Sequence, residues 1–183
     1  VGLNIENYTF SRRKYNTNES IKLLSVGRLV EKKGHIYAIK AISKILNKHQ
    51  NIEYFIVGDG PLKSKLEELI SKLNLENNVK LLGSVGDKEL HQLYKKSHIF
   101  VFPSVTSNDG DKEGQGLALQ EAQAVGLPVV STLHNGIPEG VLNNKSGFLV
   151  PEKNVDALVE KIEYLIENPE IWSQMGYNGR KYI

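Results

Sequence analysis

Ile99-Phe100-Val101-Phe102-Pro103 is a continuous apolar run that stops at a proline. An uninterrupted run of β-branched and aromatic residues predicts a strand that is buried on both faces, as the strands of a parallel sheet are. Five further short strand segments lie on either side of it, at 21–26, 52–57, 79–82, 128–131 and 147–150. Because helical patterns separate them, the sequence predicts an α/β fold, an open parallel sheet with helices on both faces.

The segments between the strands have apolar residues at helical spacing. Helices are predicted at 34–48, from Pro61 to Leu73, from an N-cap at Asp87 to Tyr94, from Leu117 to Val125, at 154–167 and from 169 onward. Residues 1–20 are polar and irregular and are interpreted as an interdomain linker, which leaves 21–183 as one domain. The chain does not begin with methionine, so we expect it to be a piece of a longer protein.

Composition excludes several classes of protein. The chain has 183 residues, no cysteine and a net charge of +2 from 23 basic and 21 acidic side chains. Disulfides and thiolate zinc sites are therefore excluded, the five histidines lack metal-ligand spacing, and the balanced charge argues against nucleic acid as a partner. No apolar run approaches the roughly 20 residues of a membrane span, and we expect a cytoplasmic protein.

In open parallel sheets, ligands bind outside the carboxyl ends of the strands. Arg28 and Lys33 follow the first strand, after Gly27, and a guanidinium beside an ammonium suits a diphosphate. The alternative is that they are two exposed loop charges. Gly58-Asp59-Gly60-Pro61 follows the second strand and imitates a dinucleotide fingerprint, but Lys63 replaces its third glycine. We interpret it as a tight turn that lets a ligand approach, and reject a nicotinamide site.

The most informative segment is Glu113-Gly114-Gln115-Gly116-Leu117-Ala118-Leu119-Gln120-Glu121. Free amides at 114–117, at the start of a helix, predict an anion site that the helix dipole reinforces. Glu113 and Glu121 could then bind hydroxyl groups of the same ligand. In the alternative interpretation, Glu113 only caps the helix and Glu121 lies on a solvated face.

A calcium loop is a competing interpretation of the same region. Asp109, Asp111 and Glu113 have the spacing of the first ligands of a helix–loop–helix calcium site. The twelfth position of that loop would be Gln120 rather than a bidentate glutamate, and the preceding element is predicted to be a strand. The sequence therefore disfavours calcium, and no metal site is predicted.

Six segments, in order, resemble the family 4 glycosyltransferases, which have the GT-B architecture of two Rossmann-like domains. The segments are 27–34, 57–61, 78–83, 102–104, 113–121 with its Glu-x7-Glu motif, and the pair of strands at 128–130 and 147–150. The chain is similar to the C-terminal, donor-binding half of these enzymes. The resemblance implies a Rossmann-like domain that binds a nucleotide-sugar, with the N-terminal acceptor domain outside this sequence.

The resemblance also implies a role for each site residue. Arg28 and Lys33 would neutralise the donor diphosphate, and Glu121 would bind the ribose. Glu113 would contact the transferred sugar, assisted by the amides of Gly114, Gln115, Gly116 and Leu117. The backbone near Ser84 and Val85 would meet the base, and Gly27 and Gly58 would lie at the donor.

The implied reaction retains the anomeric configuration and needs no metal or other cofactor. Its partners would be a nucleotide-sugar donor and a saccharide or lipid-linked acceptor, as in bacterial polysaccharide or lipopolysaccharide synthesis. The acceptor, and any membrane association, would depend on the missing domain. Two alternatives are a nucleotide-sugar-binding module without catalytic activity and a flavodoxin-like domain. The flavodoxin-like domain would leave the glutamate pair unexplained.

Overall fold

Six parallel strands form one sheet in the computed structural model, which describes residues 3–183. The strands are β1 (Ile21–Val26), β2 (Ile52–Val57), β3 (Val79–Gly83), β4 (Ile99–Phe102), β5 (Val129–Thr132) and β6 (Gly147–Val150). Their order is β3-β2-β1-β4-β5-β6. The chain therefore runs outward from β1 in one direction, returns to the centre, and runs outward from β4 in the other. The loops after β1 and β4 flank this reversal, where ligands bind in open α/β sheets.

Helices cover both faces of the sheet, as predicted. They are α1 (His35–Ile45), α2 (Lys63–Lys72), α3 (Asp87–Lys96), α4 (Leu117–Ala124), α5 (Ile137–Gly140), α6 (Val155–Glu167) and α7 (Trp172–Tyr182). One apolar core joins α1, α2 and α6 to the sheet, and a second joins α3, α4 and α5 to its other face. Leu23 packs in the first core and Leu24 in the second, because neighbouring strand residues point to opposite faces.

Several helix boundaries differ from the prediction. Gly86, not Asp87, is the N-cap of α3, and Asp87 is the first helical residue, where a carboxylate favours the helix dipole. α2 begins at Lys63 rather than Pro61, and α1 ends at Ile45. The short helix α5 and the 3-10 helix Ile5–Asn7 were not predicted, since each is too short to show a helical period.

Residues 3–20 lie against the domain. Buried Arg13 donates hydrogen bonds to the carbonyl oxygens of Lys95 and Val125, and Arg180 donates to the carbonyl oxygen of Tyr8 at 2.7 Å. The assignment of 1–20 as an interdomain linker remains a prediction, and Val1 and Gly2 lie outside the described residues. Within 3–183, no helix combines the length and the apolar character that crossing a bilayer requires.

Candidate functional site

An open cavity of about 430 Å³ lies at the carboxyl end of β1, between the loop after that strand and the start of α4. It is lined by Val26, Gly27, Arg28, Val30, Lys32, Lys33, Glu113, Leu117, Ala118 and Glu121. The structure thus brings six of the predicted site residues to one surface. Three cations from the loop after β1 meet two carboxylates there, one from the loop before α4 and one from α4 itself, as a ligand with phosphates and hydroxyls requires.

Arg28 is exposed at the rim of this cavity, and its guanidinium forms no ion pair with any residue in 3–183. Its carbonyl oxygen contacts Nε2 of His35 at 3.1 Å. Burial, above all, together with the positive charge of Lys33, lowers the pKa of His35 to about 4. His35 is therefore neutral at pH 7 and holds the Arg28 backbone without adding positive charge.

Lys33 is paired with Glu113. Its Nζ contacts Oε2 of Glu113 and lies 5.1 Å from the centre of the Phe102 ring. The methylene groups of Lys33 pass over Gly27, where an added Cβ would lie 3.2 Å from Cδ and Cε. Gly27 therefore leaves room for the lysine side chain to reach the glutamate. In this arrangement, Lys33, which was predicted to bind the diphosphate, and Glu113, which was predicted to bind the sugar, neutralise each other.

An ion pair and a hydrogen bond connect the loop between β4 and α4 to the loop after β1. Lys32 pairs with Asp111 at 3.2 Å, and Glu31 accepts a hydrogen bond from the amide of Asn108 at 3.0 Å. The carboxylates of the alternative calcium loop thus contact different partners: Asp111 contacts Lys32 and Glu113 contacts Lys33. Among residues 3–183, no three His, Asp or Glu side chains are grouped as metal ligands.

Gly116 is the N-cap of α4, with φ 73, and no side chain caps this helix. The alternative in which Glu113 caps the helix is therefore wrong. An added Cβ at Gly116 would lie 2.6 Å from the Phe102 ring, so glycine is required both for the backbone angle and for space. Within 3–183, the amides of 114–117 make no hydrogen bond, which leaves four free donors just before and at the positive end of the helix.

Glu121 is held by two tyrosines. The hydroxyl of Tyr8 donates to Oε1 at 2.7 Å, and that of Tyr94 donates to Oε2 at 2.8 Å. Burial, and then the carboxylate itself, raises the pKa of both tyrosines, so both remain protonated donors at neutral pH. Glu121 is only partly exposed, and the interpretation in which it lies on a solvated face is wrong.

Other predicted residues do not line the cavity. Gly58, with φ 138, packs against the Gly27 backbone, and an added Cβ would overlap the Gly27 carbonyl. Its observed role is to hold the loop after β1 in place. Exposed Ser84 and part-buried Val85 follow β3, two strands away from β1. Gly114, Gln115 and Gly116 adjoin the cavity through Leu117 but are not part of its wall.

Four residues near the site were not predicted from sequence. Besides Tyr8 and Tyr94, they are His134 and Asn135, in the loop after β5. His134 accepts a hydrogen bond from the amide of Glu113 at 2.9 Å, and Asn135 donates one to the carbonyl of Glu113 at 2.6 Å. The only sequence signal for His134 and Asn135 was their position after a strand, at the same edge of the sheet.

Grooves of similar volume lie elsewhere on residues 3–183. One, of about 440 Å³, has six Arg and Lys side chains and one glutamate, and another, of about 450 Å³, lies beside α6 and α7. Neither is at the carboxyl ends of β1 and β4. The cavity beside Arg28 is therefore the candidate site that both position and chemistry favour.

Known glycosyltransferases are similar to this chain. The putative colanic acid biosynthesis glycosyltransferase WcaL of Escherichia coli is 44% identical over 142 residues, 78% of this chain and 35% of WcaL. The amylovoran biosynthesis glycosyltransferase AmsK of Erwinia amylovora is 44% identical over 141 residues, 77% of this chain and 35% of AmsK. The chain thus spans about a third of the length of these curated relatives.

A solved structure has the same fold. The crystal structure of Anabaena HepE in complex with UDP matches with a TM-score of 0.78 and 26% identity, over 89% of this chain and 43% of HepE. A family model for the group 1 glycosyl transferases matches residues 7–182. As the resemblance in the sequence implied, the chain belongs to the group 1 glycosyltransferases.

Proposed function

We propose that this chain binds the nucleotide-sugar donor of a retaining glycosyltransferase, whose acceptor is a saccharide or a lipid-linked sugar. The observation that carries the proposal is the convergence of Arg28, Lys33, Glu113 and Glu121 on one cavity beside four free amides. The UDP complex of HepE and the polysaccharide-synthesis names of WcaL and AmsK support it. The acceptor would bind to a part of the enzyme that this chain does not include.

The diphosphate would lie between Arg28, Lys33 and the amides at 114–117. Negative charge grows on the diphosphate as the glycosidic bond breaks, and donors that are already oriented toward it lower the barrier. Arg28 offers a planar fork of N–H groups, and the start of α4 adds the positive end of a helix dipole. These groups supply the positive field that a metal ion would otherwise supply, so we propose that binding needs no divalent metal.

The ribose would bind to Glu121. Each of its carboxylate oxygens accepts one tyrosine hydroxyl, and a carboxylate has about four acceptor positions in all. Positions therefore remain for the two ribose hydroxyls. Because these contacts are present before and during the reaction, they contribute uniform binding rather than catalysis.

The Lys33–Glu113 pair would open when the donor binds. The diphosphate competes for Lys33, and the freed Glu113 carboxylate can accept hydroxyl groups of the sugar. Charge and geometry at the sugar change as the bond breaks, so contacts of Glu113 can be stronger in the transition state than in the ground state. Glu113 is thus proposed to act in catalysis and Glu121 in binding.

Titration of the chain with UDP and GDP in the presence of chelator tests the proposed binding. We expect binding without divalent metal, and a loss of affinity in Arg28→Ala. If neither nucleotide binds in chelator and calcium or magnesium restores binding, the metal-free proposal is wrong. If neither nucleotide nor its hexose derivative binds under any condition, the proposed function is wrong.

The two glutamates are separated by steady-state kinetics of the enzyme that contains this chain. Glu121→Gln should raise KM and the nucleotide Kd with kcat little changed. Glu113→Gln should lower kcat by roughly 10-fold or more, while leaving UDP or GDP affinity unchanged or higher because Lys33 loses its competing partner.

The assigned roles are contradicted if Glu113→Gln weakens nucleotide binding as much as Glu121→Gln does, or leaves kcat intact. A Glu113 variant that binds nucleotide with normal affinity but shows no turnover with any acceptor would agree with the assigned roles. The anomeric configuration of the product, read by proton NMR, tests retention separately.

A further inference from the structure

The loop between β4 and α4 is held at both ends by one pair of side chains, buried His134 and part-buried Glu152. Near its start, Thr106 donates to the carboxylate of Glu152 from its amide at 3.1 Å and from its hydroxyl at 3.2 Å. Near its end, the amide of Glu113 donates to Nε2 of His134 at 2.9 Å. Nδ1 of His134 contacts Oε1 of Glu152, which closes the connection.

The hydrogen bonds define the tautomer of His134. Nε2 accepts a hydrogen bond from an amide, so it carries no proton of its own. Nδ1 then bears the ring proton and donates a hydrogen bond to the Glu152 carboxylate. The side chain is 1% exposed, so water does not compete for either nitrogen. Glu152 therefore selects the tautomer in which His134 can hold Glu113.

Asn135 holds the other side of Glu113. Its Nδ2 donates to the Glu113 carbonyl oxygen at 2.6 Å, and its backbone has φ 44, a left-handed value that asparagine tolerates better than most residues. In a trans peptide, the carbonyl and the next N–H point in opposite directions. Fixing the Glu113 carbonyl therefore also fixes the direction of the Gly114 amide.

The loop needs such restraint because of its composition. Gly114 and Gly116 flank Gln115, and glycine has the largest backbone freedom to lose. No atom lies within 4 Å of the place where a Cβ of Gly114 would be, so side-chain packing does not hold it. A catalytic group must be held within about 0.5 Å of its productive position. Hydrogen bonds to both peptide groups of Glu113 supply that restraint here.

We propose that His134, oriented by Glu152, is a positioning residue that places the Glu113 carboxylate and the Gly114 amide against the donor sugar. This inference rests on the proposed function of Glu113. His134 touches no donor atom in this arrangement and acts through the Glu113 backbone. Asn135 completes the placement from the exposed side of the loop.

Two substitutions at His134 separate its two hydrogen bonds. In His134→Asn, the amide nitrogen takes the place of Nδ1 and keeps a donor for Glu152, but the acceptor for the Glu113 amide is lost. In His134→Gln, the amide oxygen takes the place of Nε2 and keeps that acceptor. If His134 only stabilised the fold, the kcat of each variant would follow its melting temperature rather than the hydrogen bond that it keeps.

Steady-state kinetics of the enzyme that contains this chain, with UDP or GDP titration and amide hydrogen exchange, tests the proposal. We expect His134→Asn to lower kcat by roughly 10- to 100-fold, to change donor KM less than about threefold, and to speed exchange at the Glu113 amide. His134→Gln should restore most of the lost kcat. Asn135→Gly, which keeps the left-handed backbone at an exposed position, should lower kcat without affecting folding.

A control variant and a comparison with Glu113→Gln make the outcomes distinct. His49→Asn removes a histidine from an exposed His49–Glu167 contact on the other side of the molecule and should leave kcat unchanged. If Glu113→Gln lowers kcat but neither His134→Asn nor Asn135→Gly does, the positioning role is wrong and the proposed function stands. If His134→Asn does not fold, the other two variants decide. The proposal is overturned if Asn135→Gly has a normal kcat. It is also overturned if His134→Gln lowers kcat as far as Glu113→Gln does. If Glu113→Gln leaves kcat intact, the proposed role of Glu113 is wrong, and the positioning role of His134 that rests on it falls as well, whereas nucleotide titration still tests donor binding.

Discussion

Glu121 is positioned by residues from distant parts of the chain. Tyr8 precedes it by 113 positions, and Tyr94 lies on α3. Arg180, near the other end of the chain, holds the Tyr8 carbonyl oxygen and so helps place the ring, which stacks on His91 at 5.2 Å. A carboxylate with both oxygens occupied cannot rotate freely. Its remaining acceptor positions therefore face the cavity in one orientation.

Tyr8→Phe removes one of the two hydroxyl donors to Glu121. Loss of a hydrogen bond to a charged carboxylate costs about 1.5 kcal/mol or more, so we expect nucleotide affinity to fall by roughly tenfold with kcat nearly unchanged. Calorimetric titration with UDP and GDP measures the change. Tyr177→Phe is the matched control, because Tyr177 is 48% exposed and its ring packs edge-on against Phe10. Equal affinities for both variants would contradict the role of Tyr8.

At the residue scale, the sequence predicts groups that bring their own chemistry and misses groups that only orient them. Arg28, Lys33, Glu113 and Glu121 stand in motifs after strands, and the structure gathers them in one cavity. Their hydrogen-bond partners depend on packing between distant segments. The buried His134 has no distinctive spacing at all, and its role shows only in contacts 18 and 21 positions away.

At the scale of elements, the loops after β1 and β2 support each other through glycine. Gly58, just after β2, lies against Gly27, just after β1, while Gly60 lies against Leu29. These contacts bring two backbones closer than any side chain allows. The turn that resembles a dinucleotide fingerprint therefore shapes the Arg28 loop.

Gly58→Ala should destabilise the domain and displace the Arg28 loop. The new Cβ would overlap the Gly27 carbonyl, and φ 138 is strained for any residue with a Cβ. Together these effects should lower the free energy of unfolding by about 2–4 kcal/mol and weaken nucleotide binding. Chemical denaturation and UDP titration measure both changes. Gly86→Ala, where no atom lies within 4 Å of the added Cβ and φ is −73, should cost at most about 1 kcal/mol. The clash argument fails if the two variants are equally stable.

Strands were predicted more accurately than helices for a physical reason. The bounds of β1, β2, β4 and β6 agree with the prediction, since each is a mainly apolar segment that ends at a glycine or a proline. Helix starts depend on the geometry of the preceding loop. Gly34, in a left-handed conformation, and Gly86 each take the N-cap position, and their sequence neighbours alone do not reveal this.

At the scale of the whole molecule, the reversal of strand order decides where the site lies. The sequence predicts parallel strands but not that β1 and β4 are neighbours, because strand order depends on which helices pack on which face. With β1 beside β4, the loops at 28–34 and 103–116 meet, and Lys33 reaches Glu113 across 80 positions. The same sheet buries two histidines, His35 near the carboxyl ends of the strands and His98 just before β4.

Both histidines make the stability of the whole domain depend on pH. Burial lowers the pKa of His35 to about 4, and burial together with Lys22 and Arg13 lowers that of His98 to about 4. In the unfolded chain, a histidine has a pKa near 6.5. Between about pH 6.5 and pH 4 the unfolded state therefore binds more protons than the folded state. The free energy of unfolding must fall as the pH falls through this window.

His98→Asn tests this dependence, because the asparagine oxygen can replace Nδ1 as acceptor for the Lys22 amide, now 2.9 Å away, without titrating. The substitution should cost stability at pH 7, since the ring that packs 5.2 Å from Trp172 is lost. Between pH 7 and pH 5, the wild-type protein should lose up to about 2 kcal/mol more than the variant. Urea denaturation of both proteins at the two pH values gives this double difference, in which the packing cost cancels. Equal losses in the free energy of unfolding of the two proteins would show that His98 is not held neutral in the folded state.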